Sequence, residues 1–100
     1  MILVRDVFHL KYGQARPALA AIKEGRVLAQ KAGMPADWRV LTDLTGPAYT
    51  LVLENKHESL SAYEGHMKGV TANDAWHAWY QKFITLIDRG HREIYTIVEG

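Results

Sequence analysis

Asn73, His77 and Arg92 are the residues of this sequence whose types and spacing could do chemistry, and Trp76 and Tyr80 stand beside the first two. A histidine titrates near neutral pH and can serve as acid, base or haem ligand. Indole and phenol rings can wall a planar substrate, although the same rings at helical spacing also serve as plain core packing. His77 equally fits a helix surface. A second polar group comprises Arg5, His9, Asp43, Thr50 and Glu54. Strand alternation sends all of them to one sheet face, where they would form either an ion-pair network or a polar pocket with shifted acid–base groups.

Other chemistries lack their signatures. Glu64 and His66, with His57 and Glu58, do not make HExxH or another recognised ligand spacing, so no metal site is expected. Gly13 and Gly46 are turn glycines, and no GxGxxG or P-loop is present to cradle a phosphate. With no cysteine, disulfides and thiolate chemistry are excluded.

The elements that must position these residues follow from periodicity. The stretch from Trp38 to Glu54 is predicted to be a hairpin. Val40, Thr42 and Leu44 share one face of its first strand, Arg39–Leu44. Tyr49, Leu51 and Leu53 share one face of the second, and Thr45-Gly46-Pro47 turns between them. Ile2–Leu10 reads as an earlier strand. A helix follows, starting near Ala15 or Arg16 because Pro17 fits only a first turn, and stopping at Gly33 before Pro35. Gly25, inside this helix, implies close backbone packing.

After the hairpin, helical spacing covers Glu58–Lys68 with Asn55 or His57 as cap, and Gly69 interrupts it. Thr71 is the expected N-cap of a further helix, whose stripe of Trp76, Trp79, Tyr80, Phe83, Ile84 and Ile87 runs to a stop at Gly90. Arg92–Val98 alternates as a last strand. The order β-α-β-β-α-β predicts an α+β, ferredoxin-like domain over residues 1–100. Its four-stranded antiparallel sheet would carry the helices on one face.

The opposite sheet face mixes Leu41 and Val52 with Arg39, Asp43, Thr50 and Glu54. That is too apolar for a wet face and predicts burial against a second copy of the chain. A formal charge of +1 argues against a nucleic-acid or acidic-membrane partner. An RNA-recognition module of the same strand order would need stacking aromatics and a basic flank, which Tyr49–Glu54 lacks. No apolar run reaches the length of a membrane span and Met1–Arg5 does not read as a signal peptide, so a cytoplasmic protein is the expectation.

Phe8-His9-Leu10-Lys11-Tyr12-Gly13-Gln14, then Arg39-Val40-Leu41-Thr42-Asp43 with Gly46, and finally Arg92-Glu93-Ile94-Tyr95 resemble NIPSNAP-like proteins. The resemblance spans nearly the whole chain on short motifs. It implies the dimeric α+β-barrel superfamily, in which two sheets face each other across a two-fold axis. Cofactor-free monooxygenases of that superfamily set an Asn and a Trp one helical turn apart on the second helix, with an Arg nearby. Here Asn73 is followed four residues later by His77, and the nearest indole is Trp76. Haem-degrading members use an Asn on the first strand, and this first strand has none.

The resemblance therefore implies a NIPSNAP-like homodimer without cofactor that binds a small organic ligand or acts as a non-catalytic interaction domain. The alternative is a cofactor-independent monooxygenase acting on an aromatic or polyketide-like substrate. Asn73, His77 and Arg92 would be its catalytic groups, and Trp76, Tyr80, Arg5, His9 and Asp43 its substrate contacts.

Overall fold

Alternating apolar residues make Ile2–Leu10 the first strand, β1, and its even-numbered members Val4, Phe8 and Leu10 turn toward the helices. The computed structural model describes residues 1–99. Helix α1, Ala15–Lys31, holds Pro17 in its first turn and buries Ala18, Ile22, Gly25 and Ala29. Gly33 ends it at φ 71°, with Gly33 N–H donating to Gln30 O and Met34 N–H to Ala29 O at 3.1 and 2.9 Å. Those two bonds satisfy carbonyls that the helix leaves open.

Strands β2, Arg39–Thr42, and β3, Thr50–His57, form the hairpin. β2 is shorter than its alternation predicts, and Leu44 lies 97% exposed in the loop. The Asp43 carboxylate accepts from Thr50 N–H at 2.9 Å, and Tyr49 turns left-handed at φ 61°. Side-chain capture of the backbone donor and that kink together end the ladder early.

Helix α2, Leu60–Thr71, runs straight through Gly69 and is capped by Ser59, whose hydroxyl accepts from Ala62 N–H; neither Asn55 nor His57 has that role. Helix α3, Asp74–Phe83, is capped by Asn73, not Thr71, because Asn73 Oδ1 accepts from Trp76 N–H at 2.9 Å. The helical stripe also stops before Gly90. A 3-10 turn, Ile84–Leu86, leads directly into β4, Ile87–Thr96. Pairing along almost the whole of β1 wins over continued helix here. Gly90 lies opposite Phe8 in the ladder, where a Cβ would meet Val7 O at 3.0 Å and Phe8 Cδ1 at 3.1 Å.

The sheet has strand order β2-β3-β1-β4 with all neighbours antiparallel, and the fold is ferredoxin-like. Leu10, Ala18, Ile22, Leu51, Trp79 and Phe83 form the core between sheet and helices. The Cα atoms extend 36 × 35 × 18 Å, the thickness of one sheet and one helical layer, so the described residues leave the other sheet face uncovered.

That open face is ordered in rows. Register places Arg39, Glu54, Arg5 and Glu93 side by side across all four strands, with alternating charge. Glu54 is buried and bridges Arg5 Nε at 3.0 Å and Arg39 Nε at 3.1 Å. The next row is apolar over three strands, with Leu41, Val52 and Val7 abreast, and ends at His91 on β4.

Candidate functional site

The helix-facing side of the sheet carries polar residues where apolar ones would make a simpler core. Asp6 and Arg92 are ladder partners on β1 and β4, and Arg92 Nε donates to Asp6 Oδ1 at 2.6 Å. Asn55 continues the Leu51–Leu53 face of β3, and α2 leans Tyr63, His66 and Met67 over this end of the sheet. Between these groups and α3 lies a cavity of about 150 Å³.

Its walls are mostly aromatic: Phe8 from β1, Trp38 ahead of β2, and Trp76, Trp79, Tyr80 and Phe83 from α3. Trp76 packs between Trp38, at 5.9 Å, and Trp79, at 4.6 Å, while Trp79 stacks on Phe83 at 5.1 Å. A second hollow of about 370 Å³ shares Asp6, Phe8, Tyr80 and Arg92 with the first and continues along Ile84, Ile87 and Gly90.

The polar end has an unusual hydrogen-bond balance. Tyr63 Oη, Trp38 Nε1 and His57 Nε2 are buried without a protein partner, and the His57 ring lies 5.1 Å from that of Tyr63. A buried donor left unpaired costs roughly 1–3 kcal/mol, and none of these atoms presents accessible surface to the cavity. Burial raises the Tyr63 pKa against the opposing pull of Arg92, so its phenol stays protonated near neutral pH. The Arg92 guanidinium lies 5.6 Å from the Tyr63 ring centroid. Burial disfavours its charge, but the hydrogen bond and charge of Asp6 outweigh that and raise its pKa.

His66 is pushed below the ordinary histidine value by burial and by His57, whose ring lies 5.4 Å away, with Asp37 opposing. It is therefore neutral at pH 7. Among the described residues, no group of three His, Asp or Glu side chains is arranged to hold a metal ion.

The residues singled out from the sequence divide by face. Trp76, Tyr80 and Arg92 line the cavity. Asn73 does not line it and spends its side-chain oxygen on the α3 cap. His77 is exposed on α3 and does not line the cavity. Arg5 belongs to the charged row on the open face, His9 faces His91 there at 6.3 Å, and Asp43 closes the hairpin.

Asp6, Asn55, Tyr63 and Trp38 carry most of the remaining polar capacity and were not singled out by spacing. The signal that finds Asp6 and Asn55 is a polar residue in phase with an apolar strand face: Asp6 between Val4 and Phe8, and Asn55 after Leu51 and Leu53.

Solved structures share this fold. A NIPSNAP family protein from Agrobacterium tumefaciens superposes with a TM-score of 0.85 at 15% identity, over 98% of this chain and 86% of that one. An uncharacterized NIPSNAP domain protein from Burkholderia xenovorans gives 0.84 at 12% identity, over 98% and 95%. The fold is that of the NIPSNAP proteins.

A putative antibiotic biosynthesis monooxygenase from Nitrosomonas europaea is also similar, with a TM-score of 0.74 at 11% identity over 99% of this chain and 100% of that one. No family model and no curated protein matches this chain in sequence. No helix of the described residues is long and apolar enough to cross a membrane.

Proposed function

We propose that this NIPSNAP-like domain binds a small organic molecule between its sheet and its helices and works as a homodimer. One observation carries the binding reading: a cavity of about 150 Å³ that sets the paired Asp6 and Arg92 side chains and Asn55 against the rings of Trp76 and Tyr80. Core packing alone would fill that space. An apolar pocket with a few converging polar groups is the usual form of a small-molecule site.

The homodimer rests on the open sheet face. Leu41, Val52 and Val7 form an apolar row beside a charged row whose central carboxylate, Glu54, is already buried in the single chain. A second copy packed on this face would cover the apolar row and close a barrel. Absence of cysteine fits a reducing compartment, and we assign the protein to the cytoplasm.

The monooxygenase alternative draws on the likeness to the Nitrosomonas protein and on Arg92 at the cavity. Asn73 and His77 add nothing to it, one being a helix cap and the other solvent-exposed. The interaction-domain reading needs no cavity at all. Saturation-transfer NMR with a library of one- and two-ring fragments separates it from ligand binding. Binders displaced or weakened by Trp76→Ala support a ligand site, whereas a library without binders removes it.

A further inference from the structure

We infer that the cavity opens between Tyr80 and Arg92 and takes a compound with a compact apolar head and a straight alkyl chain, the chain lying outward beside β4; this rests on the reading of the domain as a small-molecule binder. Exposure locates the opening. Of the described residues that line the inner cavity, only Tyr80 and Arg92 are exposed, Tyr80 at 43% and the Arg92 side chain at 46%. One belongs to α3 and the other to β4, an edge strand of the sheet. Both also line the outer hollow of about 370 Å³, so the two spaces meet where the protein surface begins.

The shape of the joined spaces sets the shape of the guest. The inner one, at about 150 Å³, matches the volume known to hold a benzene molecule, so the head has the size of a single ring. The outer one continues along Ile84 and Ile87 beside Gly90, which carries no side chain to fill it. Nor could position 90 carry one without a shift, since a Cβ would meet Val7 O at 3.0 Å and Phe8 Cδ1 at 3.1 Å. At the junction Arg92 Nε donates to Asp6 Oδ1 at 2.6 Å, so a passing chain covers charges that are already paired.

A straight chain reaches from the first space into the second. A branched group of equal size stays in the first. Each buried methylene gains about fourfold in affinity, so two carbons seated in the outer hollow should favour the straight isomer by about tenfold.

Isothermal titration of the whole chain near neutral pH with butylbenzene and tert-butylbenzene tests this, because the two isomers contain the same atoms. Butylbenzene should bind about tenfold more tightly. Ile84→Trp, which fills the outer hollow, should bring the ratio of the two affinities toward one. In the unaltered complex, nuclear Overhauser contacts should join the terminal methyl of butylbenzene to Ile84 and its ring to Met67, which lines the inner cavity alone.

Equal affinities, or a tighter tert-butylbenzene, overturn the straight chain while the domain remains a binder. An undiminished preference in a folded Ile84→Trp protein does the same, as does a terminal methyl that contacts Met67 in place of Ile84. The affinity ratio and the contacts in the unaltered protein decide the matter if that variant does not fold. Failure of both isomers to bind overturns the inference, and the fragment screen then decides separately whether any binder remains.

Discussion

Gly25 lies against the indole of Trp79 so closely that a Cβ on it would stand 2.7 Å from Cζ2 and 2.8 Å from Cε2. The ring cannot slide away, because Trp79 Nε1 donates to Ala21 O at 2.7 Å, one turn earlier on the same helix. Gly25→Ala would gain about 1 kcal/mol of helix propensity and lose about 1–3 kcal/mol to overpacking. A net loss of about 1 kcal/mol is expected, read as a lower urea midpoint with unchanged slope. An equally stable or more stable variant would contradict the contact.

Asn73 tests capping against catalysis. Asn73→Ala should cost about 1 kcal/mol of stability, and Asn73→Asp should restore it, since aspartate caps equally well and suits a helix N-terminus. His77→Ala, at an exposed position with no side-chain partner among the described residues, should change stability by less than about 0.5 kcal/mol. Chemical denaturation of the three variants checks both statements.

The apolar row on the open face predicts the consequence of charging it. Val52 is 7% exposed even in the single chain and lies between Leu41 and Val7. Val52→Asp or Leu41→Asp should convert a homodimer to monomer or to insoluble protein. Sedimentation velocity at micromolar concentration reads the result, and an intact dimer in both variants would place the interface elsewhere.

Acid should destabilise the domain through His66. Its folded pKa is below the ordinary 6.5 because burial and His57 disfavour the imidazolium. The unfolded chain therefore binds that proton more readily, and stability falls as pH drops through 6.5 toward the lowered folded value. Below that value this group adds no further loss. Thermal midpoints taken between about pH 7 and pH 5 should decline less steeply in His66→Gln. Equal slopes would assign the acid sensitivity to other groups.

Much of the fold was legible in the sequence, because alternation in β1 and the Pro17 and Gly33 signals bounding α1 are local and unopposed. The end of α3 was not. Trp76 to Ile87 keeps helical spacing past the point where β4 begins, and only pairing with β1 decides the matter. Caps were misplaced by a few residues for a related reason: Thr71, Asn73, Asn55 and Ser59 all suit the role, and helix packing chooses among them.

The cavity was partly legible. Aromatic spacing on α3 identified Trp76 and Tyr80, but Asp6 acquires its meaning from Arg92, which is 86 residues away in sequence and adjacent in the sheet. Tyr63 reads as core in the α2 pattern, and only its unpartnered hydroxyl separates it from an ordinary buried phenol.

All three tryptophans of the chain line one cavity. The protein thus carries a built-in optical reporter confined to a single spot. Its ultraviolet emission will register solvent or a guest entering that chamber before it registers disruption of the strands, so the emission transition and the circular-dichroism transition need not coincide on heating.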